Sequence, residues 1–324
     1  MYRQKIVLTI MLNRRHLRVK VLQALYAFHQ TGGDIKAQEK NLLQSIDKVY
    51  EMYIWMLSLI SEVANYAETD AIERSNKHIK TEEDKNPDLK ILTNRFITTL
   101  NDNKEFLVSA KKYKIEWSFE PELIKTLFIV LKSSPEYAEY LKHTGDTIQT
   151  DKDIIKFIFK KVILKSSLAE QVFEDKFIFW PVDKDVLQAL IAKTFKNFAS
   201  EDAKQNKLAE ITGNWEEDRE FIVTLFEQNI RHDKEYQTMI AEKTQNWEPE
   251  RIAMMDTLLM KMAITEFINF TSVPVKVTIN EYLEISKEFS TPKSNSFLNG
   301  ILDKILIELK AQQKIKKIGR GLIE

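Results

Sequence analysis

The sequence contains no cysteine among its 324 residues. Disulfides, cysteine-based zinc sites and thiol nucleophiles are therefore excluded together, and a reducing, cytoplasmic location is expected. Glycine and proline are also scarce, at 7 residues each. Because strands need frequent turn residues, this scarcity favours packed helices over a β-rich fold. The composition therefore predicts an all-α protein.

The chain also lacks net charge, since 48 lysines and arginines balance 48 aspartates and glutamates. Affinity for nucleic acid would have to come from uneven placement of these charges. The sequence has no HExxH, P-loop, GxGxxG or nucleophile-elbow motif, and its five histidines are scattered. We therefore expect no catalytic residue, no metal site and no cofactor.

No hydrophobic run approaches the ~20 residues of a membrane span, so no membrane association is expected. Residues 6 to 12 are nearly all apolar and follow two positive charges, as at the start of a signal peptide. However, Asn13-Arg14-Arg15 follows at once, with no small-residue cleavage site. We expect residues 1–12 to be a flexible extension, with Met11 as an alternative start to Met1.

Helical periodicity begins at residue 13. Between Asn13 and Gln30 the apolar residues recur at steps of three and four, as on one face of a helix: Leu17, Val21, Leu25 and Phe28. A longer periodic stretch predicts a helix over residues 35–71, and the polar residues 80–87 predict a loop. Several short helices are expected between 88 and 212. There the aromatic residues 173–180 are interpreted as a hydrophobic anchor rather than a ligand platform.

The C-terminal part predicts four further helices. They are expected at about 217–243, from Pro249 through Phe267, after Pro274, and over 294–311. Gly300 lies inside the last of them and costs about 1 kcal/mol relative to alanine. We expect close packing of another helix there to compensate, with close approach of RNA as the alternative. The lysine-rich residues 312–324 are expected to form a flexible basic tail.

Three segments resemble the NusB family of bacterial transcription antitermination factors. The densest match is VPVKVTINEYLEISKEFSTPKSNSFLNGILDK, residues 273–304. A second lies at the other end, where Arg14-Arg15-x-x-Arg18 precedes the run from Leu22 to Tyr26. A third covers residues 251–267. The resemblance implies a NusB-like helical domain from residues 13–30 plus 215–311, interrupted by a helical insertion over 31–214 that includes the family's second helix.

The resemblance also implies a function. NusB proteins pair with NusE, a small-subunit ribosomal protein. Together they bind the single-stranded box A element of ribosomal RNA leaders and make the RNA polymerase elongation complex resist termination. The same partners and function are expected for this chain.

The residues at the start of the chain are compatible with RNA binding. Arg14, Arg15, Arg18 and Lys20 form a basic segment with no acidic residue before Asp34, so we expect an unopposed positive field facing outward. On a helix, Tyr26 lies along the arginine stripe about 12 Å beyond Arg18, where it could stack on a base. The alternatives are a solvated basic face and, for Tyr26, a half-buried core aromatic.

The resemblance assigns further RNA contacts to the last helix, at Phe297, Asn299, Asp303 and Lys304. Two other functions stay open. One is a helical protein scaffold that does not bind RNA. The other is a remnant RNA-recognition domain of a ribosomal RNA methyltransferase, which is disfavoured because that enzyme needs a catalytic cysteine and a cofactor-binding α/β domain.

Overall fold

A computed structural model describes residues 13–144, 147–244 and 252–322. Within these ranges the chain is helical and has no strand. The expected extension, residues 1–12, lies outside them. The helices, in chain order, are α1 (Arg14–Thr31), α2 (Ile35–Ser75), α3 (Glu82–Lys85), α4 (Arg95–Asn101), α5 (Lys104–Lys112), α6 (Pro121–Lys132), α7 (Pro135–Lys142), α8 (Ile148–Phe157), α9 (Ser167–Lys176), α10 (Trp180–Asn197), α11 (Trp215–Arg231), α12 (Asp233–Lys243), α13 (Met254–Asn269), α14 (Val275–Phe289) and α15 (Ser294–Ala311).

Helix α1 begins and ends at residues suited to those positions. The side chain of Asn13 accepts a hydrogen bond from the backbone N–H of His16, which satisfies an N-terminal donor of the helix. Gly32 ends the helix with φ = 65°, a conformation that strains residues with a side chain. The predicted apolar face is buried at Leu17, Val21 and Leu25.

The chain divides into two compact units, and α2 contributes to both. The first unit is Asp47–Ile211. In its core the Tyr53 hydroxyl contacts the Thr194 hydroxyl and accepts a hydrogen bond from the Ala209 backbone N–H at 3.1 Å. The aromatic segment 173–180, predicted to be a hydrophobic anchor, also lies in this core. Its residues Phe173, Phe177 and Trp180 are all buried, and Phe173 packs against the other two.

The second unit contains residues 13–46 and 212–322 of the described chain. Helix α13 lies at its centre and contacts α1, α11, α12, α14 and α15. Helix α1 also packs on α11 and α14. The prediction that the first helix folds against the C-terminal helices is therefore confirmed, as is the all-α fold.

Two predicted element boundaries are wrong. The helix expected over 217–243 is two helices, α11 and α12, separated at His232. The buried residues Ile222, Phe226, Tyr236 and Ile240 fall on one face of a continuous helix, so periodicity alone could not reveal the break. The expected loop over 80–87 contains the one-turn helix α3, which is held by a capping box between Thr81 and Asp84.

Helix α13 begins at Met254, and its predicted start at Pro249 lies outside the described residues.

The prediction of a flexible basic tail is wrong for the described residues 312–322. The Ile318 backbone N–H donates to the carbonyl oxygen of Thr271 at 3.0 Å. The Lys317 ammonium donates to the carbonyl oxygens of Glu266 and Phe270 at 3.2 and 2.8 Å. These hydrogen bonds give partners to carbonyl groups at the C-terminus of α13 that the helix itself leaves unsatisfied. The segment therefore packs against α13 and the turn that follows it.

Among the described helices, none combines the length and the apolar character that crossing a membrane would require.

Candidate nucleic-acid interface

Arg14, at the first position of α1, lies beside two carboxylates of α11. Its guanidinium contacts Glu217 at 2.5 Å and Asp218 at 3.1 Å, and it lies 4.4 Å from the ring centroid of Phe221. Burial raises the pKa of Asp218, although the charge of Arg14 opposes that increase. About a third of the Arg14 side chain, 34%, stays exposed. The guanidinium is therefore oriented by α11 and still open to solvent.

Arg15 is held by one carboxylate of α14. Its Nε and Nη2 each donate to Glu281 at 2.9 Å, a bidentate arrangement that fixes the plane of the guanidinium. The hydrogen bonds that Arg15 donates to Glu281 raise the pKa of Arg15, so the group stays charged. The Arg15 side chain is 41% exposed. It is the most exposed of the three arginines and presents an oriented positive charge to solvent.

Arg18 lies inside the second unit. Its Nε and Nη2 donate to Glu266 of α13 at 2.8 and 2.5 Å, and its side chain is only 3% exposed. Burial alone would lower the pKa of Arg18, but the charge and hydrogen bonds of Glu266 outweigh this effect and raise it. Thr278 also donates to Glu266, at 3.3 Å. This arginine joins α1 to α13 and is inaccessible to a ligand.

The expectation that the whole basic segment faces outward, unopposed, is therefore wrong. Arg18 and Lys20 are 2% and 1% exposed and cannot contact RNA in this structure. Carboxylates of α11, α13 and α14 oppose the positive field of α1. These acidic residues lie 203 to 266 positions away in sequence, so a scan of neighbouring residues could not find them. Arg14 and Arg15 remain as candidate contacts from this segment.

Tyr26 is 40% exposed, one turn after the buried Leu22. Its ring is thus open to solvent, as base stacking requires. A half-buried aromatic on the rim of a core has similar exposure. The position of Tyr26 is compatible with both interpretations.

The candidate residues of α15 occupy one exposed stretch of that helix. Asn299, Asp303 and Lys304 are exposed, and Phe297 is half-buried. Among the described residues, no side-chain hydrogen bond or ion pair engages Asn299, Asp303 or Lys304. These polar groups are therefore available to a partner.

Gly300 lies between them, and the expectation that another helix packs closely against it is wrong. A Cβ atom built on Gly300 would meet no atom within 4 Å. No described residue compensates the helix-weakening effect of this glycine. Close approach of RNA at Gly300 stays a prediction.

The start of α15 is anchored by Asp256 of α13. The hydroxyls of Ser290 and Ser294 donate to its two carboxylate oxygens at 2.6 and 2.7 Å. Asn295 donates to the Leu283 carbonyl oxygen at 2.9 Å, which ties α15 back to α14. These bonds fix the turn between the two helices and hence the orientation of the exposed stretch.

Two exposed residues of α14 were not identified from the sequence. Because α14 and α15 form a hairpin, residues later in α15 lie level with residues earlier in α14. The hydrogen bond between Asn295 and Leu283 sets the alignment of the two helices. From it, helix geometry places Asn280 at about the height of Asn299 along the hairpin. In the same way it places Lys276 at about the height of Asp303. Both α14 residues are exposed. Both residues lie within the segment 273–304 that resembles the NusB family, and this resemblance was the sequence feature that could have indicated them.

Over the described ranges, no group of three or more histidine and acidic side chains is arranged to hold a metal ion.

The described residues of the second unit form an all-helical domain in which exposed polar and basic groups lie on α1, α14 and α15, around the central helix α13. A profile described as "NusB family" matches residues 184–306. The match begins inside α10 and so extends into the predicted insertion. At 37% identity, the chain covers 69% of the transcription antitermination protein NusB of Koribacter versatilis. The chain therefore belongs to the NusB family.

Two other proteins of the same name are similar. The chain is 39% identical over 105 residues to that of Salinibacter ruber and 42% identical over 106 residues to that of Chloroherpeton thalassium. These two alignments cover 66% and 50% of the length of the Salinibacter and Chloroherpeton proteins, respectively. The three alignments cover 32%, 33% and, for the Koribacter protein, 31% of this chain. No solved structure matches the chain. Two thirds of the chain thus lie outside each alignment.

Proposed function

We propose that this chain is a non-enzymatic transcription antitermination factor. In this proposal it binds the box A element of ribosomal RNA leaders together with NusE and keeps the RNA polymerase elongation complex resistant to termination. The observation that carries the proposal is the identity of 37–42% to three proteins named transcription antitermination protein NusB. Box A and NusE are implied by the resemblance of the signature segments.

In this proposal the RNA contacts two exposed places on the second unit. Arg14 and Arg15 bind phosphates at the start of α1, since each guanidinium is charged, oriented and partly exposed. Asn299 and Lys304 supply an amide for a base edge and an ammonium for a phosphate. Phe297 and Asp303 lie on the same helix as Asn299 and Lys304, and Tyr26 lies further along the helix that carries Arg14 and Arg15. The RNA-binding domain comprises residues 13–46 and 212–322, with the first unit as an addition to it.

One observation favours the second candidate, a protein scaffold without RNA binding. All three arginines of α1 form ion pairs within the chain. Each pair reduces the positive charge that the helix offers to RNA. The two candidates predict opposite results for RNA binding.

The test is a fluorescence-anisotropy titration of a labelled box A RNA with the full chain, alone and with NusE. The double variant R15A/K304A removes one exposed cation from each proposed contact. The control K160A/K161A removes two exposed lysines from the first unit. We expect the first variant to weaken RNA binding and the control to leave it unchanged. Equal affinity for all three proteins, or no binding by any, would favour the scaffold.

A further inference from the structure

A groove of 450 Å³ lies in the first unit, apart from the proposed RNA contacts. Helix α2 forms one wall, through Ser58, Glu62 and Tyr66. The segment joining α5 to α6 and the first turn of α6 form the other, which includes Trp117 and Ile124. This volume is within the range of sites that bind small ligands or single side chains. The groove is therefore large enough to receive a side chain together with part of its backbone.

Glu62 carries the principal charge in the groove. Burial raises the pKa of its half-buried carboxyl. In the part of the chain that the structure describes, no hydrogen bond or ion pair reaches this carboxylate. A partly desolvated carboxylate without a partner is unfavourable, and a cation beside it restores the lost interaction. The groove thus favours a positively charged occupant.

Aromatic rings beside Glu62 add to this preference. The Trp117 indole N–H donates to the Ser58 hydroxyl at 3.2 Å, and its ring packs edge-on against Trp55 with centroids 4.9 Å apart. The Tyr66 hydroxyl donates to Glu73 at 3.2 Å. Both rings are therefore held in place. Electron-rich ring faces attract cations, and arginine stacks on them more often than lysine.

The other charges around the groove do not oppose a cation. Glu116 also lines it and adds a second negative charge, with a hydrogen bond from Ser118 at 2.6 Å. Lys125, which follows Ile124 on α6, is paired with Glu73 at 3.1 Å. Lys125 is thus already engaged by a carboxylate, and Glu62 and Glu116 dominate the charge along the groove.

We propose that this groove binds an arginine side chain presented by a protein partner. Glu62 accepts hydrogen bonds from the guanidinium, and Tyr66 and Trp117 flank its plane. A guanidinium fits better than an ammonium because it is planar, weakly hydrated and able to bond a carboxylate with two donors. The site belongs to the first unit, whereas the proposed RNA contacts belong to the second.

The test uses the full chain labelled with ¹⁵N and the peptide acetyl-Gly-Arg-Gly-amide. The indole N–H signal of Trp117, assigned with the variant W117F, reports occupancy of the groove. We expect a saturable shift of this signal. The same peptide with citrulline in place of arginine keeps the shape and loses the charge, and we expect it to bind roughly tenfold more weakly. No saturable shift up to about 10 mM peptide, or equal binding of both peptides, would overturn the proposal.

Two variants separate a specific contact from a general effect of negative charge. E62Q removes the proposed partner, whereas E68Q removes an exposed carboxylate from the same helix outside the groove. We expect E62Q to weaken arginine-peptide binding roughly tenfold and E68Q to leave it unchanged. Equal effects of both variants would contradict the assignment.

A measurement on the unmodified protein does not depend on the folding of either variant. The pKa of the Glu62 carboxyl, followed by ¹³C NMR, should fall when the arginine peptide saturates the groove, because the guanidinium stabilises the carboxylate. A pKa that does not change on saturation would show that the peptide binds elsewhere.

Discussion

Arg18 and Glu266, 248 positions apart in sequence, form a bidentate ion pair inside the second unit. The pair joins the first helix of the chain to the helix at the centre of the C-terminal bundle. Both side chains are almost fully withdrawn from water, at 3% and 0% exposure. Buried charges of this kind are tolerated only as long as each keeps its partner.

Breaking this pair should destabilise the second unit strongly. We expect R18M to lower the free energy of unfolding by about 3–5 kcal/mol, because it leaves the Glu266 carboxylate buried without its partner. Chemical denaturation followed by circular dichroism measures the change. R15M is the matched control, since it breaks a partly exposed pair on the same helix and should cost about 1 kcal/mol or less. Equal losses for both variants would show that Arg18 is not the buried link between the helices.

Gly300 should show opposite effects on stability and on binding. We expect G300A to raise the free energy of unfolding by about 0.5–1 kcal/mol, since alanine favours a helix and its Cβ meets no described atom. The same variant should weaken box A binding if RNA approaches the helix backbone there. Denaturation and RNA titration measure the two effects separately. A variant that is more stable and binds RNA normally would remove Gly300 from the interface.

The docked C-terminal segment predicts a pH dependence. Burial lowers the pKa of Lys317 to about 8, from 10.5 for an exposed lysine, although Glu266 opposes this shift. Between these values the unfolded chain binds more protons, so the contribution of Lys317 to stability rises with pH. The destabilisation caused by K317M should therefore be larger at pH 10 than at pH 7. Thermal unfolding of both proteins at the two pH values measures it. A loss that is independent of pH would mean that Lys317 is not buried against α13.

The salt dependence of RNA binding counts the phosphate contacts. If Arg14, Arg15 and Lys304 each neutralise one phosphate, the slope of log K against log salt should be about −2 for single-stranded RNA. Anisotropy titrations at several salt concentrations give this slope. The variant R15A should make it shallower by roughly 0.7. If R15A has the same slope as the unmodified protein, Arg15 does not contact a phosphate.

Local features of the sequence predicted the helices well. The apolar spacing from Leu17 to Leu25 predicted α1, and the last helix was predicted with its observed bounds, Ser294–Ala311. Periodicity and capping act within a few residues and can therefore be read directly from the sequence.

Long-range relationships could not be predicted in this way. Arg15 and Arg18 belong to the same basic segment, but Arg18 is buried against Glu266 whereas Arg15 is partly exposed beside Glu281. The docking of the C-terminal segment depends in the same way on carbonyl groups of α13. The sequence indicated which residues carry charge, while the fold determined which of those charges reach solvent.

The most direct test of the central claim is the affinity of the full chain for box A RNA in the presence of NusE. We predict saturable binding that exceeds the affinity for a scrambled RNA of equal length, and that weakens in R15A/K304A but not in K160A/K161A. Equal affinity for the box A and scrambled RNAs, unaffected by either double variant, would contradict the account.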